Sequence, residues 1–172
     1  MNKQFVGLFS VLALVLIVLS SFIMYNQWPL LSGKTVILDT RPVDPFDPFR
    51  GQYMVIAYEV STVEASGDFE EGDRVYVALD EDPEGISRPQ GVSQAKPQRG
   101  DFISGIVTSV SGNRLNVEYG IEQYFFERHA SLPTTNITIE VGLAASGRGK
   151  IVQMLFNGEP IEIEYEEFDI KR

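Results

Sequence analysis

Few side chains in this sequence have the types and spacing that enzyme chemistry needs. His129 is the single histidine and there is no cysteine, which leaves little material for a catalytic triad or a zinc site. We therefore interpret His129 as a surface loop residue. A Ser-Lys dyad needs only two residues, and Lys96 and Lys150 are its candidate bases. Both lysines stand beside turn residues, where a solvated amine keeps its proton and is a poor base.

Two groups of carboxylates suggest cation binding but are incomplete. Residues 80–85, DEDPEG, resemble the first half of a calcium loop, but the closing glutamate would fall at position 91, which is glycine. Asp39, Asp44 and Asp47 accompany prolines, where aspartates usually accept hydrogen bonds from the backbone of turns. We predict a solvated acidic loop and turn-forming aspartates, with no metal site and no cofactor. A cation or small-ligand sensor is an alternative.

Glu122 and Glu127 bracket an aromatic run. Paired carboxylates can do acid-base work in a cleft, but the sequence identifies no second carboxylate pair and no aromatic platform for a sugar. We assign no catalytic residue.

The elements that position these residues begin with an apolar segment. Residues 5–24 carry no charge, and about 20 helical residues cover a hydrocarbon core of about 30 Å. A cleaved signal peptide is the alternative, but its apolar core is usually about 7–15 residues long, and Ser20 and Ser21 offer a poor cleavage site after Leu19. We predict a transmembrane helix at residues 5–24, with the lipid bilayer as its partner.

Charge near the helix ends predicts the orientation. Lys3 lies on the short side and the far flank is uncharged until Lys34, so the N-terminus is expected to stay in the cytoplasm. The first acidic residue is Asp39, and the chain carries a formal net charge of −10. An exported acidic domain is repelled by phosphate backbones, which excludes nucleic acid as a partner.

The rest of the chain reads as strands separated by turns. Residues 52–61 are apolar on both alternating faces, which predicts one central strand covered on both sides. Asn157-Gly158 between two alternating runs predicts a hairpin, part of a three-stranded antiparallel meander. Further strands are predicted at 35–40, 74–79, 102–110 and 114–119, a polar loop at 80–90, and one possible helix or strand end at 121–130.

This pattern predicts a mainly β fold, with an N-terminal transmembrane helix followed by an antiparallel β-barrel or β-sandwich domain. We divide the chain into a cytoplasmic tip and transmembrane helix at residues 1–24, a juxtamembrane linker at 25–34, and an extracytoplasmic β domain at 35–172.

Two short segments carry a resemblance to a known family. Residues 50–58, RGQYMVIAY, and residues 119–125, YGIEQYF, resemble the GDYXXLXY family of bacterial membrane-anchored proteins. Gln52 replaces the acidic residue of the motif, which removes the charge that a catalytic or metal role would require, and Ile56 replaces its leucine. The motif residues are Arg50, Gly51, Tyr53, Ile56, Tyr58, Tyr119, Gly120, Glu122 and Tyr124.

The motif also has a physical interpretation. Tyr53 and Tyr58 stand an odd number of positions apart, so in one strand they would point to opposite faces. Each ring can be buried while its hydroxyl binds a backbone group, which would lock the strand between two layers. We therefore predict that the motif is structural.

We expect a non-catalytic accessory or protein-binding module, anchored in the bacterial inner membrane with its β domain outside the cytoplasm. The resemblance implies no particular activity, but it implies an accessory role beside a multi-pass membrane protein, so a membrane or envelope protein is the expected partner. The alternative enzyme is an envelope hydrolase of Ser-Lys peptidase type.

Overall fold

The chain begins with one long apolar helix. In the computed structural model, which describes residues 3–31, 33–41, 53–125 and 136–161, helix α1 spans Lys3–Leu31. Its segment Gly7–Leu31 has a mean hydropathy of 2.6, and its most apolar window is not buried against the rest of the chain. By length and composition this helix can cross a membrane. It also continues through most of the predicted linker at 25–34, so only residues 32–34 separate it from the first strand.

The remaining described residues are mainly strands. The first half of the domain contains β1 (Thr35–Arg41), β2 (Tyr53–Val55), β3 (Ala57–Tyr58), a 3-10 turn (Glu59–Ser61), β4 (Thr62–Glu64), β5 (Arg74–Glu81) and β6 (Ser87–Ser93). The second half contains β7 (Asp101–Ser111), β8 (Arg114–Glu118), β9 (Gln123–Phe125), β10 (Ile137–Leu143), β11 (Gly149–Phe156) and β12 (Glu159–Pro160).

The strands form two five-stranded sheets and a two-stranded ribbon. One sheet has the order β12-β11-β10-β1-β3, the other β4-β8-β7-β5-β6, and β2 pairs with β9. Within the described ranges every strand pairing is antiparallel. The second sheet curls until its edge strands β4 and β6 approach each other, which makes it nearly a barrel. The predicted mainly β, antiparallel fold class is confirmed.

Period-two alternation builds one core from both sheets. On β5, Val75, Val77 and Leu79 are buried, as their spacing predicted, because alternate side chains of a strand share a face. Leu38 on β1 and Ile139 on β10 are also completely buried and belong to the same cluster. This single apolar core holds the two sheets together.

The predicted hairpin at Asn157-Gly158 is confirmed, and the strands predicted at 102–110 and 114–119 also form a hairpin. Strands β7 and β8 pair around the turn at Gly112, with Leu115 and Val117 buried on one face of β8. Strands β10, β11 and β12 form the predicted meander. Its second turn has φ of 51° at Asn157 and 84° at Gly158, the paired positive values that favour Asn-Gly in two-residue hairpins.

The prediction of one strand at 52–61 is wrong. The segment changes sheets at Ile56: β2 pairs with β9, whereas β3 pairs with β1. The Ile56 amide donates instead to the carbonyl of Glu122 at 2.7 Å. The apolar residues on both alternating faces belong to two short strands with different neighbours, which a single alternation pattern does not distinguish.

Two loop predictions also need correction. The predicted loop at 80–90 is only a turn at residues 82–86, because β5 continues to Glu81 and β6 starts at Ser87. Pro89 and Gly91 look like loop residues, but β6 is an edge strand whose pairing shifts register at Ala78/Leu79, and edges and bulges tolerate both residue types. The uncertain segment at 121–130 contains β9, and its residues beyond 125 lie outside the described ranges.

Replacing Gly105 with alanine tests the packing between β7 and β8. A Cβ at this position would lie 2.7 Å from the Glu118 carbonyl oxygen and 2.8 Å from Tyr119 Cδ1, and would also overlap Val117. We expect Gly105→Ala to lower the free energy of unfolding by about 1–3 kcal/mol, the usual cost of overpacking. Thermal or denaturant unfolding of the full chain in detergent measures it. Gly91→Ala is the control, since nothing lies within 4 Å of its added Cβ; equal losses in both variants would contradict the packing argument.

Candidate functional site at the helix-domain junction

Two buried tyrosines of the motif bind each other's backbone segments. The Tyr58 hydroxyl donates to the carbonyl of Ile121 at 2.7 Å, and the Tyr119 hydroxyl donates to the carbonyl of Val60 at 2.6 Å. Both side chains are buried. We call this pair of reciprocal bonds, which joins residues 56–60 to residues 119–122, the tyrosine clasp.

Gly120 and Glu122 shape the second half of the tyrosine clasp. Gly120 has φ of 78°, a conformation that side chains disfavour. This bend lets the Glu122 carboxylate accept the backbone N–H of Tyr119 at 2.5 Å, while its carbonyl accepts the Ile56 amide. The β2–β9 ribbon continues the contact by pairing Met54 with Tyr124. The motif residues Ile56, Tyr58, Tyr119, Gly120 and Glu122 are therefore gathered in one place.

Burial keeps both clasp phenols protonated. It raises the pKa of Tyr58 and of Tyr119 far above the usual value, and the nearby Glu122 carboxylate raises both further. A phenol that stays neutral and already donates to a carbonyl acts as a fixed hydrogen-bond donor. Arg50 and Gly51 lie outside the described residues, as does the side chain of Tyr53.

A proline near the end of α1 creates a binding position for the β domain. Pro29 lies inside the helix and has no N–H to donate to the carbonyl four residues earlier, which is that of Tyr25. The Arg148 guanidinium donates to this carbonyl instead, and it also stacks on the Tyr25 ring at 3.8 Å from the centroid. A residue from the β10–β11 turn thus supplies a donor that the helix lacks at Pro29.

Further contacts fix the domain against the helix end. Lys150 Nζ donates to Gln27 Oε1 at 2.8 Å. Gly142 allows β10 to approach closely, since a Cβ there would lie 2.8 Å from the carbonyl oxygen of Pro29. The Leu143 amide binds the Lys34 carbonyl at 2.9 Å, just before β1 pairs with β10. The end of α1 is therefore packed against β10 and the β10–β11 turn. We call these contacts, made by Gly142, Arg148 and Lys150, the joint.

Three cavities surround residues 144–148 at this joint. The largest, about 710 Å³, lies between the helix and this turn; the second, about 620 Å³, is lined by Lys34, Lys96 and Asp101; the third, about 350 Å³, is lined by Arg74, Glu118 and Arg148, among others. Lys150 lies next to them. Although the whole chain has a net charge of −10, its junction face is basic. The cationic side chains at this face are Lys34, Arg74, Lys96, Arg148 and Lys150.

The two lysines considered as bases have other contacts. Lys96 Nζ lies 5.9 Å from the centroid of the Phe102 ring, and Lys150 binds Gln27. In the part of the chain that the structure describes, neither amine is hydrogen-bonded to a serine hydroxyl. His129 and Glu127 lie outside that part.

The acidic turn at 82–86 is organised by its own arginine. The Asp82 carboxylate accepts the amides of Glu84 at 2.9 Å and Ile86 at 3.0 Å, and Arg88 Nε donates to it at 3.0 Å. The Ile86 amide and Arg88 lower the pKa of Asp82, and Asp82 in turn raises that of Arg88. Arg88 also pairs with Asp39 and Glu59.

This pairing corrects the prediction for Asp39, which lies in β1 and forms an interstrand ion pair rather than a turn. Asp44 and Asp47 are outside the described ranges. Among the residues that are described, no group of three or more metal-ligand side chains is close enough to hold an ion.

The sequence predicted a structural role for the motif, but it predicted neither the reciprocal bonds of the tyrosine clasp nor the joint. Nothing in the sequence around Arg148 indicates this bond, because the partner carbonyl lies 123 positions earlier in the chain. The available signal was Pro29, because a proline inside an apolar helix leaves a carbonyl that another group must satisfy.

Removing either clasp hydroxyl should destabilise the fold. In Tyr58→Phe or Tyr119→Phe a buried carbonyl loses its donor, and we expect the free energy of unfolding to fall by about 1–3 kcal/mol. Denaturant unfolding of the full chain in detergent measures it. Tyr76→Phe is the control, because the half-buried ring of Tyr76 packs edge to face on Phe102 and no hydroxyl bond is described for it. A loss no larger than in Tyr76→Phe would argue against the clasp.

The same two phenols predict a loss of stability at alkaline pH. The unfolded chain releases a phenol proton near pH 10, whereas the folded clasp retains it, because burial raises the pKa of both tyrosines. Their contribution is thus fully present below about pH 10 and is lost as the pH rises above it. Unfolding measured from pH 8 to 12, with tyrosinate absorbance recorded in parallel, should show late ionisation that coincides with unfolding. Early ionisation of all tyrosines in the folded protein would contradict this.

One comparison with known proteins gives a match. The family model described as GDYXXLXY protein matches residues 15–154, from within α1 to Met154 in β11, and this range includes the tyrosine clasp and the joint. No curated protein and no solved structure matches the chain. Since the match extends over far more than half of the 172 residues, the chain belongs to the GDYXXLXY family.

Proposed function

We propose that this protein is a non-catalytic membrane-anchored module whose β domain, outside the cytoplasm, binds another membrane or envelope protein. The observation that carries the proposal is the joint: Arg148, Lys150 and Gly142 hold the domain on the end of α1. A domain held in this way presents its surfaces at a fixed height above the bilayer. This geometry suits docking onto a partner that is itself in the membrane.

The orientation in this proposal rests on charge. Lys3 precedes the apolar segment, and residues 25–33 carry no charge, so the short side is expected to remain in the cytoplasm. In a bacterium this places α1 in the inner membrane and the β domain on its outer side.

Exposed apolar side chains on both sheets offer contacts for the partner. Ile106 and Val110 on β7 are 38% and 43% exposed, and Val152 and Phe156 on β11 are 44% and 39% exposed. Protein interfaces enclose apolar side chains of this kind at their centre. By contrast, Tyr58 and Tyr119, whose pKa values are raised, form hydrogen bonds inside the fold. The accessory role implied by the family resemblance agrees with this distribution.

Site-specific photocrosslinking in native membranes tests the proposal. With a photoreactive residue at Val110 or Phe156, we expect a discrete adduct with one protein, because these side chains lie on exposed strand faces. The same residue at Phe22, which is 66% exposed on the apolar helix, is the control and should give lipid adducts. If Phe22 reacts while both strand positions repeatedly give no protein adduct, the binding proposal is wrong.

A labelling control checks the orientation in the same cells. The chain has no cysteine, so a single cysteine in Asn113→Cys, at the β7–β8 turn, reports its own location. A membrane-impermeant maleimide should label it in cells whose inner membrane is intact, whereas Asn2→Cys should require permeabilisation. The reverse pattern would place the domain in the cytoplasm.

A further inference from the structure

The largest cavity at the junction has the composition of a lipid site. We propose that it binds the headgroup phosphate and upper acyl chains of an anionic phospholipid, an inference that rests on the membrane anchoring in the proposed function. The cavity has a volume of about 710 Å³, within the range of small-molecule sites. It lies between α1 and the turn at residues 144–148.

The position of the cavity along the helix matches the depth of a headgroup. Its helical wall includes Ser20, Met24, Tyr25 and Trp28. If residues 5–24 fill the hydrocarbon layer, this wall begins at the last apolar turn and ends in the headgroup region. Tyrosine and tryptophan are enriched at that depth, so the cavity opens where a phospholipid changes from acyl chain to phosphate.

The walls of the cavity are amphipathic. Met24, Trp28, Ala144 and Ala145 provide apolar surface, which acyl chains can cover. The polar end is formed by Arg148 and the Ser146 hydroxyl, whereas Ser20 and Ser21 lie at the acyl-chain end of the helical wall. The lining serines are Ser20, Ser21 and Ser146. Free phosphate would leave the apolar wall wet, so the combination favours an intact lipid over a soluble anion.

Arg148 is the group that would recognise the phosphate. A guanidinium carries five N–H donors in a planar fork that suits phosphate oxygens, and its described side-chain hydrogen bond is the one to the Tyr25 carbonyl. Stacking on the Tyr25 ring fixes its plane, so little side-chain entropy remains to be lost on binding. Lys150, held by Gln27 nearby, adds positive charge.

Trp28 makes the proposal measurable, because it is the single tryptophan of the chain and lines the cavity. The full chain is reconstituted in phosphatidylcholine vesicles that contain brominated phosphatidylglycerol or, at the same mole fraction, brominated phosphatidylcholine. Bromine quenches tryptophan on contact. We expect an enrichment of phosphatidylglycerol at Trp28 of about five-fold, the effect of one basic residue at an anionic surface.

Three variants separate the cavity from general attraction to charge. Arg148→Gln removes the phosphate-binding group, and Ala145→Phe fills the cavity while keeping Arg148; both should abolish the phosphatidylglycerol preference. Arg114→Gln changes an exposed arginine beside the β7–β8 turn and should leave it intact. If Arg148→Gln does not fold, as judged by its melting curve, Ala145→Phe alone decides the question.

Three results would overturn the proposal. The first is equal quenching by the two brominated lipids in the unmodified chain, and the second is a preference that Ala145→Phe retains. The third is loss of the preference on adding inorganic phosphate, which would identify a site for the soluble anion. The vesicles contain no partner protein, so failure here leaves the photocrosslinking result standing, and failure of that result leaves this one standing.

Discussion

The structure depends on a backbone carbonyl that its own helix cannot satisfy. Pro29 has no N–H for the carbonyl of Tyr25, so the regular helical hydrogen-bond pattern leaves this acceptor without its usual donor. Arg148 takes the place of the missing donor. Since Arg148 follows β10, and Gly142 of β10 contacts Pro29, satisfying this one carbonyl places a whole sheet on the helix end. The anchor and the domain are thereby built as one unit.

The tyrosine clasp has the same role inside the domain that the joint has at its base. A chain that leaves one sheet at Ile56 exposes backbone groups which no regular ladder pairs. Tyr58 and Tyr119 each donate to a carbonyl on the other segment, and Glu122 satisfies two amides, one through its carboxylate and one through its carbonyl. The motif residues therefore supply hydrogen-bond partners for backbone groups that no strand pairing satisfies.

The sequence pattern correctly predicted those elements whose structure depends on residues close together in the chain. The apolar helix, the alternation on β5 and β8 and the Asn157-Gly158 turn follow from the side chains of their own segments, and all were confirmed. The sheet change at Ile56 did not follow, because two short strands with different partners leave the same apolar pattern as one buried strand. Strand β6 was missed because an edge tolerates Pro89 and Gly91. The bond from Arg148 to Tyr25 spans 123 positions, and spacing in the sequence carries no information about such a contact. For the same reason, residue type and spacing indicated Lys96 and Lys150 as candidates but did not indicate Arg148, which joins α1 to the β domain.

The distribution of charge follows from the same joint. An acidic surface close to anionic headgroups is repelled by them, and the whole chain has a net charge of −10, so a uniform distribution of this charge would push the β domain away from any anionic membrane that α1 crossed. Instead, cationic side chains are concentrated around the cavities at the helix end, with Lys34 paired to Asp101, while the acidic turn around Asp82 is paired with Arg88 elsewhere. The electrostatic field of the domain therefore favours the same orientation, with its basic face toward the helix end, that the hydrogen bonds of Arg148 and Lys150 fix.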